Sequence, residues 1–269
     1  MQEELFFQKW LPQGPMEGAV LIVHGAGEHS GRYQHVIEFL RNRQFAVFAG
    51  DLPGLGRSGG RRGHIDQFQQ YVDCLKNWLL EVSREVGDRP IFLLGHSMGG
   101  LVTIRLLQHP NAEQLPIRGA VVTSPCLRLR MRVPKWQQKL AKLLLRIAPK
   151  LRIPNRIRAN DVCRSEAVAS QYRQDPNMEF RVSVRWYHEL QKAMKDALLQ
   201  AGSVKHPLLI LQAGADRLVD PEAAIVFAER LTVVDRSLKL YPGLYHELLN
   251  EPEQEVVLGD LTNWIKSRK

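Results

Sequence analysis

Five short runs of this chain are apolar almost throughout: Gly18–Val23, Phe45–Ala49, Ile91–Leu94, Gly119–Thr123 and Leu208–Leu211. None shows the apolar–polar alternation of a sheet with one wet face, so each reads as a strand buried on both faces. A weaker run follows at Ser237–Tyr241, and helical periodicity occupies Tyr33–Arg41, Gln67–Glu85, Met98–Gln108, Pro221–Leu231 and Gln254–Lys269. Strand and helix alternating in this way predict an α/β fold with a mostly parallel sheet covered by helices on both sides. At 269 residues with 44% hydrophobic composition, one large core of this kind is affordable.

From Pro125 to about Val204 the rhythm stops, and helical patterns dominate without a convincing strand. The expected division is a core of residues 1–125 and 205–269, with 126–204 inserted as a helical cap. Ligands of open α/β sheets bind beyond the carboxyl ends of the strands. An insert there reads as a lid over the site, or as a helical extension with no part in binding.

The segment with the most chemistry is Ile91-Phe-Leu-Leu-Gly95-His96-Ser97-Met98-Gly99-Gly100. It is Gly-x-Ser-x-Gly with an apolar strand running in and a helical pattern running out, the context that puts a serine on a strained turn at the sheet edge. Ser97 is the expected nucleophile. The N–H of Met98, at the helix start, faces the place where an oxyanion would form.

A serine hydroxyl needs a base, and the base a carboxylate to orient it. In this arrangement the chain order is Ser, then Asp or Glu, then His. Asp216 follows the strand at Leu208 through a glycine-containing loop, and His246 follows the last strand through Pro242-Gly243. Asp220 is the rival acid, but it precedes Pro221 and reads as a helix N-cap. His188, in the insert, and His206, before a strand, are misplaced for the base.

The first buried strand leads into His24-Gly-Ala-Gly-Glu-His-Ser-Gly-Arg-Tyr33. Such a loop supplies a second oxyanion N–H, here assigned to Ala26, with His24 fixing the loop by hydrogen bonds. A metal site at these histidines is disfavoured, because hydrolysis through Ser97 needs neither metal nor other cofactor. Cys74, Cys126 and Cys163 lack metal-ligand spacing, and their odd number speaks against a disulfide framework and for a reducing compartment.

Together with Gly95–Gly99, Gly214-Ala-Asp216, Tyr241-Pro-Gly-Leu-Tyr-His246, Asp51–Gly59 and Arg62-Gly-His64, the His24–Tyr33 segment resembles the monoacylglycerol lipase and lysophospholipase family of α/β hydrolases. The likeness runs across nearly the whole chain and is weakest in the insert. It implies the α/β-hydrolase fold and a serine carboxylester hydrolase acting on single-acyl-chain lipids, monoacylglycerol first and lysophospholipid as the alternative. A non-lipid esterase or a peptidase on the same fold is the further alternative. Matched residue by residue, Ser97, Asp216 and His246 correspond to the triad, and Ala26 and Met98 to the oxyanion donors. Glu28 and Arg32 correspond to polar residues at the glycerol end. A local ion pair stiffening the loop is the other reading of Glu28 and Arg32. Where the eukaryotic monoacylglycerol lipase has a further histidine, three residues beyond the catalytic one, this chain has Leu249.

The formal charge of +9 suggests anionic partners, and its distribution is uneven. No Asp or Glu occurs between Cys126 and Asn160, a stretch that carries Arg128, Arg130, Arg132, Lys135, Lys139, Lys142, Arg146, Lys150, Arg152, Arg156 and Arg158. Trp136, Leu140, Leu143, Leu144, Ile147 and Leu151 follow helical spacing on one face, with basic residues on the flank. A basic amphipathic helix with a tryptophan suits an anionic membrane interface, and equally an ordinary helix with its apolar face packed inward. Nucleic acid is the less favoured partner, since no nucleic-acid-binding motif accompanies the charge. The acidic, apolar-poor start is unlike a secretory signal, and no apolar run is long enough to span a bilayer, which sets the expectation of a cytoplasmic protein with peripheral membrane contact.

Overall fold

The computed structural model describes residues 4–130, 140 and 143–269. Trp136 and the basic positions 132, 135, 139 and 142 lie outside the described residues.

Seven strands form one sheet: β1 (Phe7–Trp10), β2 (Gly18–Val23), β3 (Phe45–Gly50), β4 (Ile91–His96), β5 (Gly119–Thr123), β6 (Leu208–Ala213) and β7 (Arg236–Tyr241). Their spatial order is β1-β3-β2-β4-β5-β6-β7. Only β1 runs antiparallel to its neighbour; the other pairs are parallel. The parallel register brings Val23 beside Gly95 and His96 beside Thr123, so the loops that leave β2, β4 and β5 emerge along one rim.

The apolar runs are continuous because successive residues feed two different cores. Leu21 and Leu93 belong to the cluster that packs against the helices Gln69–Val86, Met98–Leu107 and Pro221–Arg230. Ile22, Phe92 and Leu94 point the other way, towards the helices Gln34–Arg41 and Gln254–Lys266. With both faces dry, no polar alternation survives to be read. β7 was faint in sequence for the opposite reason: as an edge strand it buries only Tyr241 fully. β1 is four mixed residues, half-buried, and carries no such pattern.

The segment in which helical patterns dominate and no convincing strand is legible contains two short strands, Arg152–Pro154 and Arg181–Ser183, which pair antiparallel. Three residues each, two of them arginines and one a proline, are too short and too polar for periodicity to detect. Between them lie the helices Ala159–Val162 and Glu166–Gln174, with a small core of their own around Val162, Ala169, Tyr172 and Met178. The long helix Val184–Leu199 buries Trp186, Leu190, Ala193 and Ala197 in the same cluster as the helix that follows Ser97. Among the described residues no helix is long and apolar enough to cross a membrane.

Candidate active site

Ser97 occupies the turn between β4 and the helix Met98–Leu107, at φ 52° and ψ −114°. A left-handed backbone at a non-glycine residue is costly and persists only where the surroundings impose it. Here the Ser97 N–H donates to the Thr123 carbonyl at 2.9 Å, and the Ser97 carbonyl accepts from the N–H of Cys126 at 2.9 Å. The turn also needs room: a Cβ on Gly99 would strike the carbonyl oxygens of Val23 and His24, and one on Gly95 the hydroxyl of Thr103. Glycine at these two positions is therefore a packing requirement of the elbow.

The Ser97 hydroxyl lies 2.8 Å from His246 Nε2, and His246 Nδ1 lies 2.7 Å from Asp216 Oδ2. The second oxygen, Asp216 Oδ1, accepts the N–H groups of Leu218 and Val219 at 2.8 and 3.0 Å. Asp216 is thus locked in place and, though fully buried, held below the ordinary carboxylate range: burial opposes ionisation, and His246 with these N–H groups outweighs it. Burial likewise pushes the His246 imidazole down, but the Asp216 charge and hydrogen bond, with Glu247 and Glu28 behind, leave it above its usual value. An imidazole held in one tautomer against a serine hydroxyl can take a proton and return it. Asp220, the rival acid, caps the helix Pro221–Arg230 through the N–H of Glu222 at 3.1 Å, as its position before a proline predicts.

His24 braces the loop after β2: Nδ1–H donates to the Gly25 carbonyl at 2.8 Å and Nε2 accepts the Leu52 N–H at 2.9 Å. Ala26 sits between two fixed points. The Gly25 N–H donates to Glu28 Oε1 at 2.5 Å, and the Gly27 carbonyl accepts the N–H of Glu179, from the insert, at 2.7 Å. Met98 opens its helix, where an N–H has no intrahelical partner.

Glu28 and Arg32 do form the ion pair, at 2.6 Å. Glu28 Oε1 also accepts the Tyr33 hydroxyl at 2.7 Å. Burial would raise its pKa, but Arg32, then His96 and His24, lower it to about 2. The group on the other side of Arg32 is not among the residues legible in the sequence. Glu247, directly after His246, accepts from both terminal nitrogens of Arg32, Nη1 at 2.6 Å and Nη2 at 2.8 Å. His96 is not among those residues either; its ring centroid is 5.0 Å from that of His246 and its Nδ1 is 2.9 Å from the Thr123 hydroxyl. Burial, with His246 adding to it, depresses His96 to about 4. Adjacency to His246 and to Ser97 was the only sequence signal for either. Leu249 is buried in the apolar cluster, and its carbonyl faces His35 Nε2 at 2.7 Å.

A strained serine, a histidine and a buried aspartate converging at the carboxyl rim of a parallel sheet define a serine hydrolase of the α/β type. Residues 14–253 match the family described as serine aminopeptidase, S33 (Hydrolase_4), and the chain belongs to that family. It is 38% identical to the phospholipase YtpA of Bacillus subtilis, over 92% of this chain and 94% of that protein. It is 31% identical to a monoacylglycerol lipase of Mycolicibacterium smegmatis, over 98% and 93%. The crystal structure of a Paleococcus ferrophilus monoacylglycerol lipase superposes with a TM-score of 0.89 at 33% identity, covering 99% of this chain and 100% of that one.

Proposed function

We propose that this protein is a carboxylic ester hydrolase that cleaves lipids with a single acyl chain, monoacylglycerol first, through an acyl-enzyme on Ser97. The observation that carries the reading is the unbroken hydrogen-bonded path from the Ser97 hydroxyl through His246 to Asp216.

His246 Nε2 takes the Ser97 proton as the oxygen attacks the acyl carbonyl. The N–H groups of Ala26 and Met98 receive the developing oxyanion. The tetrahedral species collapses, the bond to the alcohol breaks, and His246 hands its proton to the departing glycerol oxygen. A water deprotonated by His246 then attacks the acyl-serine, and Ser97 regains the proton as the fatty acid leaves. Asp216 stabilises the imidazolium at both stages. Glu28 and Arg32 frame the head-group end, since Glu28 Oε1 lies against Gly25, which itself abuts Ser97.

At the outer edge of the insert, Leu140, Leu143, Ile147 and Leu151 are 45, 54, 68 and 48% exposed, beside exposed Arg146 and Lys150. An apolar strip flanked by cations suits a headgroup interface, where each basic residue contributes about 1 kcal/mol next to an anionic surface. In this reading the strip brings the protein to the surface that holds its substrate. The same basic edge favours lysophospholipid as a second substrate.

Turnover on monoacylglycerol, lysophospholipid, diacylglycerol, a short nitrophenyl ester and a peptide amide tests the assignment. Monoacylglycerol should lead. Preference for the short ester or the amide over every lipid would overturn it.

A further inference from the structure

One guanidinium joins the two loops on which hydrolysis depends. Arg32 Nη1 donates to Glu28 Oε2 and to Glu247 Oε1, each at 2.6 Å, and Nη2 donates to Glu247 Oε2 at 2.8 Å. Glu28 in turn holds the Gly25 N–H, next to Ala26, and Glu247 adjoins His246 in the chain. The two carboxylates are buried and Arg32 largely so, with its guanidinium 5.0 Å from the Tyr172 ring. Three further bonds hold Glu247: its N–H donates to the Val162 carbonyl of the insert at 2.8 Å, its carbonyl accepts the Asn250 N–H at 2.8 Å, and its Oε2 accepts Asn250 Nδ2 at 2.9 Å.

A planar fork on a carboxylate fixes direction as well as distance, and a lysine in its place would not. Resting on the reading of Ser97 as nucleophile, we propose that Glu247 is a positioning residue: clamped on Arg32, it keeps the His246 loop in register with the oxyanion loop. Two carboxylates on one guanidinium also leave a net negative charge close to the imidazole. The other groups facing His246 are Asp216 from the loop after β6, Ser97 and His96 from the end of β4, and Glu28 from the loop after β2. Losing the Glu247 charge therefore makes His246 easier to deprotonate.

The test uses the full-length protein and a short nitrophenyl ester, which lacks a glycerol head group. Glu247→Gln should lower kcat about tenfold, a modest cost for misplaced reacting groups, with KM within about twofold. The acid limb of its kcat/KM profile should move to lower pH. Arg32→Lys, which keeps the charge and loses the fork, should lower kcat without moving that limb. A Glu247→Gln protein with wild-type kcat and limb would reduce the clamp to a structural ion pair and overturn the proposal. So would a raised KM for monoacylglycerol with short-ester kcat intact, which marks a head-group contact instead. Should Glu247→Gln fail to fold, Arg32→Lys decides alone, and an unchanged kcat contradicts the clamp. Fluorophosphonate labelling of the wild type keeps the two readings apart: no adduct on Ser97 sinks the nucleophile itself, whatever Glu247 does.

Discussion

Two stretches of the insert stand in contrast. Residues 155–183 are bonded to the catalytic loops on both sides: Glu179 N–H to Gly27, Asp175 to His29 at 2.8 Å, and Val162 to Glu247. Leu140 and residues 143–151 turn leucines and an isoleucine to solvent beside the exposed Arg146 and Lys150. The first stretch acts as part of the active-site wall and the second as a surface. In the first, a side chain's value lies in position, where an ångström matters; in the second it lies in polarity and charge, where many substitutions are equivalent.

The largest expected effect is inside the wall. Asp216→Asn should keep the fold and lower kcat by about four orders of magnitude, because an amide cannot hold the imidazole in the required tautomer; steady-state hydrolysis of any accepted ester measures it. Next comes the elbow. Gly99→Ala places a Cβ against the Val23 and His24 carbonyls and should cost about 3 kcal/mol or prevent folding, read by denaturant titration. If either change were mild, the sheet rim would be as forgiving as the outer strip.

A subtler effect concerns acid. Glu28 has its pKa lowered from 4.5 to about 2 in the folded protein. Its contribution is thus complete above about pH 4.5 and lost as pH falls towards 2. Glu28→Gln should be less stable than wild type at neutral pH, and the difference should shrink below pH 4.5. A gap independent of pH would argue that the Glu28 charge is not what braces the loop.

The smallest effect on chemistry is expected outside. Leu143→Ser with Ile147→Ser should leave the short-ester kcat and the melting temperature nearly unchanged. Co-sedimentation with vesicles containing anionic lipid should nevertheless fall severalfold. A loss of stability instead would mean that these side chains pack against protein, which erases the contrast.

Legibility in the sequence follows the same division. Strands buried on both faces announce themselves as apolar runs, and the elbow, Asp216 and His246 follow from the turn chemistry at their ends. The clamp was silent, because Glu247 meets Arg32 across 215 positions and a lone Glu after a His carries no pattern. The strand pair Arg152–Pro154 with Arg181–Ser183 was silent too, because three residues a side, with two arginines and a proline among them, leave no periodicity to read. Glu28 and Arg32 were visible as residues and ambiguous as roles, since four-residue spacing fits an ion pair and a ligand contact alike.

In the proposed mechanism the Ser97 Oγ is the atom that becomes acylated. A fluorophosphonate bearing one alkyl chain, followed by peptide mapping, tests it directly. A single adduct is expected on the peptide containing Ser97, and none in Ser97→Ala. An adduct on another residue, or a Ser97→Ala protein that still hydrolyses monoacylglycerol, would contradict it.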